Sequence, residues 1–539
     1  MNNAAVSLAE QNEALQQALA RKDAQIAALD QHIGLLEEQL RLLKAKAFGP
    51  KSERMSQLVG QQALFDLDAL EADEKPADAE SASDDDVRET ITYKRRKKRG
   101  PQPFPDHLPR EIHKHELPPE DRQCACCGEE MTVIGKDVTC ELEYEPAVAK
   151  VVEHHHYSYG CAPCKQADEV LEAPIRSAPR APRLIPGSMA GPGLLAFVIA
   201  SKFVDGLPFY RVERLMGRLG VKLGRATMCN WARHVGNRLE RMWELLLAQA
   251  RQHTWLQMDE TTVQVLNEPG KENTTKSFMW VIRGGPPDTP IVLFHYDPSR
   301  SGSVAARLLE GFQGTVQTDG YAGYDFLGRA PGVVHAGDWD HVRRKFADFR
   351  KALGRKGKGG KTGKADEALK LIGEMYELER EAREKGYSAT ELLVMRDQKL
   401  RPKIGGFKAW LDHLAGRVPP KSLLGKAIHY ALGQWHKLDL FLDRAEVPMS
   451  TALVENAIRP YVIGRKAWLF SGSPEGAQAS SRIYSIVETA KLNGWEPYAY
   501  LKQLFERLPT AETDADIARL LPTCAPEPNT SPAEPDATQ

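Results

Sequence analysis

The sequence predicts a multidomain α+β protein, and three patterns predict it. An apolar stripe with heptad spacing opens the chain, and two C-x-x-C pairs follow around a stretch of β-branched residues. From Trp255 the apolar period then changes from helical to alternating, with acids on the strands. At 539 residues the chain is too long for one ordinary domain, and an apolar fraction of 42% suffices for at least one sizeable core. Formal net charge is −1, but acidic residues crowd 71–89 and the basic run Lys94 to Arg99 follows at once. The whole-chain balance therefore conceals surfaces of either sign. No run of 18 apolar residues and no basic-then-apolar leader is present, which argues against a membrane-spanning helix and predicts a soluble, cytoplasmic protein with no membrane partner.

Residues 1–47 are expected to form a coiled coil. Leu8, Leu15, Leu29, Leu36 and Leu43 share one core position, with Lys22 the exception; Leu19, Ile26, Ile33 and Leu40 share the other, with Asn12 its polar member. Alternating steps of three and four, held for roughly five heptads without a skip, point to self-association rather than to a helix packed on its own chain. Residues 48–105 hold a short helix and an acidic, then basic, linker; Lys94, Arg95 and Arg96 are candidates to grip DNA phosphate.

Residues 106–175 are expected to form a zinc ribbon-like module. Cys124/Cys127 and Cys161/Cys164 each offer two thiolates on a tight turn, the bite that tetrahedral Zn²⁺ requires. Cys126 is a possible substitute, Cys140 is left out, and His154-His155-His156 is a weaker rival ligand set. Four thiolates leave no open position, so this Zn²⁺ would be structural.

Residues 185–250 are expected to be a helical DNA-binding segment. A helix from Pro208 closes at Gly220, and a second begins near Ala226-Thr227 and presents Asn230, Arg233 and His234. That is a helix-turn-helix pattern, with a plain helical hairpin as the alternative.

From Trp255 the order is strand, strand (Phe278–Ile282), strand (Ile291–His295), helix (Ser303–Leu309), strand (Gly314–Asp319). Acids on the first and fourth strands, Asp259 and Asp319, match the ground plan of a ribonuclease-H-like α/β domain, in which those strands are neighbours. We place its first part at 251–350, a helical insertion at 351–445, its second part at 446–507 and a disordered tail at 508–539. Glu455 opens a helix in the second part. Three carboxylates are hard oxygen ligands suited to a pair of Mg²⁺ (or Mn²⁺) ions, the arrangement that drives phosphodiester chemistry. Spacing alone leaves open that they are ordinary strand-end and helix-start acids.

Asp259, Asp319-Gly-Tyr321, the block Val454-Glu-Asn-Ala-Ile-Arg-Pro-Tyr-Val-Ile-Gly-Arg-Lys-Ala-Trp-Leu-Phe-Ser-Gly-Ser473 and Ile483 to Gly494 resemble the TnpC-type DDE transposases of the insertion-sequence-sixty-six family. The zinc module and Lys44-Ala-Lys-Ala-Phe-Gly-Pro-Lys-Ser-Glu53 extend the resemblance from about residue 8 to 507. It implies that Asp259, Asp319 and Glu455 are the catalytic triad of a metal-dependent enzyme that binds element ends, cleaves DNA and joins the 3′-hydroxyl strand to target DNA. It also implies a bacterial, nucleoid-associated protein, with companion proteins of the same element as partners. Two departures stand out: Asp338-Trp-Asp-His341 replaces Cys-Trp-Ala-His before Arg343-Arg344-Lys345, and Thr451-Ala452 replaces an Asn-Asn pair. His341 is expected to support the site, and Arg343, Arg344, Lys345, Arg459, Arg465, Lys466 and Arg233 to contact DNA. The rival readings are a transposase-derived regulator without catalysis, a nuclease without joining activity, and a zinc-ribbon transcription factor.

Overall fold

The computed structural model describes residues 149–160, 175–353 and 363–524, with scattered positions between 19 and 40. Two compact units divide the chain, Glu71–Val152 and the remainder. Of the first unit only 149–152 is described, extended and exposed. Cys124, Cys127, Cys161 and Cys164, and Lys94, Arg95 and Arg96, lie outside the described residues. The described positions of 19–40 are helical, and Leu19, Ile26, Leu29, Ile33, Leu36 and Leu40 on them are each more than half exposed, so the single chain leaves that stripe uncovered.

A two-stranded antiparallel ribbon, β1 (Ser158–Gly160) with β2 (Ile175–Ser177), precedes four helices: α1 (Pro192–Phe203), α2 (Phe209–Arg218), α3 (Arg225–Arg238) and α4 (Glu240–Ala250). The α2–α3 pair falls where the helix-turn-helix pattern predicts it, with Gly220 at φ +76° in the turn, a conformation open chiefly to glycine.

A five-stranded mixed sheet follows: β3 (Trp255–Gln264), β4 (Lys276–Gly284), β5 (Ile291–Asp297), β6 (Gly314–Gln317) and β7 (Val333–Ala336), in the order β5-β4-β3-β6-β7. β3–β4 and β4–β5 are antiparallel hairpin neighbours. β6 pairs in parallel with both β3 and β7, and α5 (Gly302–Leu308) makes the crossover from β5 to β6. The sequence pattern missed β7, four residues long, because so short a run carries no legible period.

The outer edge of β5 is not left open. On α12 (Pro474–Leu492) the Ser485 hydroxyl accepts from Phe294 N (2.8 Å), and Thr489 Oγ1 accepts from Val292 N (3.0 Å) and donates to Val292 O (2.9 Å). A covering helix thereby satisfies edge backbone that would otherwise invite another strand.

A helical region follows β7. α6 (Trp339–Leu353), α7 (Lys364–Glu384), α8 (Ala389–Met395), α9 (Arg401–Ala415) and α10 (Leu423–Leu438) build a second core around Trp339, Phe346, Phe407, Ile428 and Leu442. Arg396, 1% exposed, binds Glu379 through two bonds (2.7 and 2.9 Å) and donates to the carbonyls of Phe441 and Arg444 (2.7 and 2.8 Å). A buried guanidinium so fully partnered locks this region to the segment that leads into α11 (Ala452–Trp468).

The tail expected to lack structure from 508 instead folds back as far as 524, through α13 (Pro497–Arg507) and α14 (Asp514–Ala518). Leu521 is buried, Tyr500 donates to Leu520 O (2.8 Å) and Trp495 to Pro522 O (3.1 Å), so this Pro- and Thr-containing stretch caps the aromatic end of α13. Among the described residues no helix is long and apolar enough to cross a membrane.

Candidate active site

The adjacent parallel strands β3 and β6 lead into the same Gln-x-Asp: Gln257-Met-Asp259 within β3, and Gln317-Thr-Asp319 starting on the last residue of β6. Gln257 and Gln317 are direct partners in the parallel register, so carrying that register two residues further sets Asp319 opposite Asp259. Side chains two apart share a face. The glutamines are fully buried and form the floor beneath the acids: Gln257 Nε2 donates to Gln317 Oε1 (2.8 Å) and to Ser450 O (2.9 Å). Gln317 Nε2 donates to Gly337 O and Pro448 O (both 2.9 Å).

The same floor positions Glu455. The first amides of a helix lack intrahelical partners, and at the start of α11 Val454 N donates to Gln257 Oε1 (2.9 Å) while Thr451 N donates to Asp338 Oδ1 (3.0 Å). Glu455, in the first turn, is thus fixed to β3 on one side and to the turn after β7 on the other.

The electrostatics are those of crowded acid. Burial, followed by the charges of Glu260, Asp319 and Glu455, pushes the Asp259 carboxyl well above its ordinary range, with His341 opposing. Burial and then Asp338 raise Glu455 to about 7, against His341 and Arg344. Glu260 is also raised, mainly by burial, although Tyr324 donates to it and Arg300 Nη2 lies 2.7 Å away. Arg300 in turn stacks on Tyr321, 3.9 Å from the ring centre.

Among the described residues, the ligand atoms that lie within 4.8 Å of one another are those of Asp338, His341 and Glu455. Asp259, Asp319 and Glu455 do not draw together as closely. Glu455 instead faces His341 Nδ1 (4.0 Å) and Arg344 Nη2 (3.5 Å). Asp338 is a poor metal ligand, because its oxygens already accept from Asp340 N, His341 N and Thr451 N (3.0 Å each) and from the His341 ring. It is an N-cap and an ion-pair partner. Burial alone would raise Asp338 and lower His341, but their bond outweighs it, holding the Asp338 carboxyl low and His341 up at about 9.

The residues expected on DNA divide. Lys345 and Lys466 are exposed, and so is Arg233 on α3; Arg343 and Arg459 are half-buried. Arg344 faces Glu455. Arg465 is buried and donates to Thr261 Oγ1 (3.2 Å), Thr262 Oγ1 (3.1 Å) and Thr262 O, so its guanidinium is a strut between α11 and β3. Glu260, Arg300 and the two glutamines were not singled out from the sequence; the repeated Gln-x-Asp was the signal available for the last two.

Comparison with known proteins agrees over most of the chain. The profile of the Transposase IS66 family matches residues 187–479, and that of the IS66 C-terminal element matches 485–523. The profile described as Transposase C of IS166 homeodomain matches 35–112, and the zinc-finger binding domain of transposase IS66 matches 121–165, which contains Cys124, Cys127, Cys161 and Cys164. Two uncharacterized proteins of Sinorhizobium fredii are similar along their length. One, y4jD, is 30% identical over 499 residues, covering 90% of this chain and 94% of the relative. The other, y4qI, is 30% identical over 536 residues, covering 95% and 93%. With its family profile spanning more than half of its residues and such relatives aligned end to end, the chain belongs to the IS66 transposase family.

Proposed function

We propose that this protein is a DDE-type DNA transposase on a ribonuclease-H-like domain, with Asp259, Asp319 and Glu455 as the catalytic carboxylates. One observation carries the reading: β3 and β6 pair in parallel as far as Gln257 and Gln317, two residues before Asp259 and Asp319, while the charges of Asp319 and Glu455 both act on Asp259 and Gln257 also accepts from the start of α11. The acids fit a divalent cation: burial, and then the charges of Glu260, Asp319 and Glu455, raise Asp259, while burial and then Asp338 raise Glu455, and a bound cation would favour the ionised form of each. When bound, a pair of Mg²⁺ ions would activate the attacking oxygen and stabilise the leaving one. The chain's own residues orient and insulate. Gln257 and Gln317 tie β3 to β6, His341 and Arg344 hold Glu455, and Arg300 offsets Glu260 beside the site.

In this reading residues 1–47 pair chains through the uncovered heptad stripe, the four cysteines hold structural Zn²⁺, and α2–α3 with the basic linker holds element ends. The test is strand transfer of a labelled, pre-cut element end into plasmid with Mg²⁺ or Mn²⁺. Joined product from wild type and none from Glu455→Gln is the expected result. Joining retained by Glu455→Gln or by Asp259→Asn would overturn it. Loss of joining in wild type, with end binding preserved and companion proteins supplied, would favour a regulator without catalysis.

A further inference from the structure

A second pocket lies between the helix-turn-helix pair and the turn that joins α11 to α12. It encloses about 240 Å³, and Lys202, Phe209, Asn230, Arg233, Trp468 and Ser473 are among its walls. Its sides are held by the crossing of α3 and α12, where Gly236 lies so close to Ala479 that a β-carbon would come within 2.4 Å of it.

Lys202, near the end of α1, is what makes the pocket unusual. Its ammonium sits 4.9 Å from the Phe209 ring centre and 5.0 Å from that of Trp468, and 5.8 Å from Phe203. No carboxylate pairs with it among the described residues; the charge it feels is that of Cys229, and burial lowers its pKa to about 8. Ring faces offset part of the cost of burying a cation, but a ring accepts no conventional hydrogen bond, so the three N–H groups of the ammonium stay available to an oxygen acceptor in the pocket. Arg233, exposed on the same wall, is steered by Asn230 Oδ1 (3.2 Å). Glu475 is the acid at the rim, held low by the Ser473 hydroxyl, and its charge is opposed by Arg233. Two cations, one of them half-buried among aromatic rings at the pocket wall, beside hydroxyls and a side-chain amide match a singly charged oxyanion.

We propose that this pocket is a second DNA-contact site, in which Lys202 and Arg233 together take one backbone phosphodiester group of a bound strand. The proposal rests on the DNA-processing function above and adds to it a contact remote from the carboxylates. Arg233 lies on the second helix of the helix-turn-helix pair and Lys202 on the helix before it, so a strand approached by α3 passes the pocket mouth.

The test is binding of the full-length protein to a fluorescent random-sequence duplex, without added Mg²⁺, over a series of NaCl concentrations. One lost phosphate contact lowers the slope of log K against log [salt] by about 0.9, which is up to about an eightfold loss of affinity near 0.1 M. Lys202→Met and Arg233→Gln should each show that change, and Lys202→Arg should keep the wild-type slope. Wild-type affinity and slope in both Lys202→Met and Arg233→Gln would overturn the proposal alone, provided wild type joins ends and Glu455→Gln does not. Wild type binding no DNA would overturn both it and the transposase reading. A thermal shift produced by inorganic phosphate over chloride at equal ionic strength, lost in Lys202→Met while the DNA slope is unchanged, would replace the strand with a free anion.

Discussion

Asp338 accepts the backbone N–H of Thr451 at 3.0 Å across 113 residues of chain. Both positions stand apart in the sequence as departures from the pattern that the chain resembles, and they touch. The bond joins the start of α6 to the start of α11 and so sets where Glu455 emerges. Asp338→Cys removes an N-cap, leaves the half-buried His341 without its ion-pair partner and orphans the Thr451 amide, which should cost about 2–4 kcal/mol in urea unfolding. Adding Thr451→Asn and Ala452→Asn should recover a large part of that loss, because contacting positions are non-additive. Full additivity of the two changes would show that they do not compensate.

Metal and pH act on the same acids with opposite sign. Glu455, raised to about 7, binds a proton in the folded state between its ordinary pKa and 7 that it would release on unfolding. Its contribution to stability is therefore present at low pH and lost as pH rises through 7. His341, raised to about 9, contributes fully below 6.5 and loses that contribution as pH climbs through 9. Without Mg²⁺ the catalytic unit should melt several degrees lower at pH 8.5 than at pH 5.5. Added Mg²⁺ should raise the melting temperature more at pH 8.5, because cations need ionised carboxylates. Equal Mg²⁺ stabilisation at both pH values would argue against these acids as its ligands.

Arg465 and Lys466, neighbours in sequence, should behave as opposites. Arg465→Met breaks a buried strut to Thr261 and Thr262 and should cost about 1–3 kcal/mol of stability. Lys466→Ala, at an exposed position, should leave stability within about 0.5 kcal/mol and weaken DNA binding in a salt-dependent way. Urea unfolding and duplex titration on the two variants separate the roles.

That contrast also shows where legibility ended. The nearness of Asp319 to Asp259, on which its charge acts, was legible because the alternating runs that carry them are the first and fourth strands, which pair in parallel. Glu455 was readable from a motif block. Which face of α11 points inward was not: Arg465 lies on the side that packs against β3, and a Pro-containing helix with charged residues spread around it gives no clear apolar stripe to orient it. Asp338 was seen as a departure and not as an anchor, because its partner lies beyond the whole helical region. Long-range pairings of that kind leave no local period.

Lys202 supplies the last prediction. A lysine whose folded pKa lies near 8, against 10.5 for the unfolded chain, makes folding less favourable wherever the unfolded chain holds its proton more tightly. The penalty is complete below pH 8 and shrinks as pH rises from 8 to 10.5. Lys202→Met keeps the length of the side chain, suits three aromatic neighbours and removes the charge. It should therefore raise stability at pH 7 by up to about 3 kcal/mol, with the gain fading as pH rises from 8 to 10.5. A variant more stable than wild type and weaker on DNA would mark Lys202 as a residue kept for binding at the expense of the fold. A less stable variant would mean that the ring faces compensate the ammonium fully, and that its place in the fold is structural.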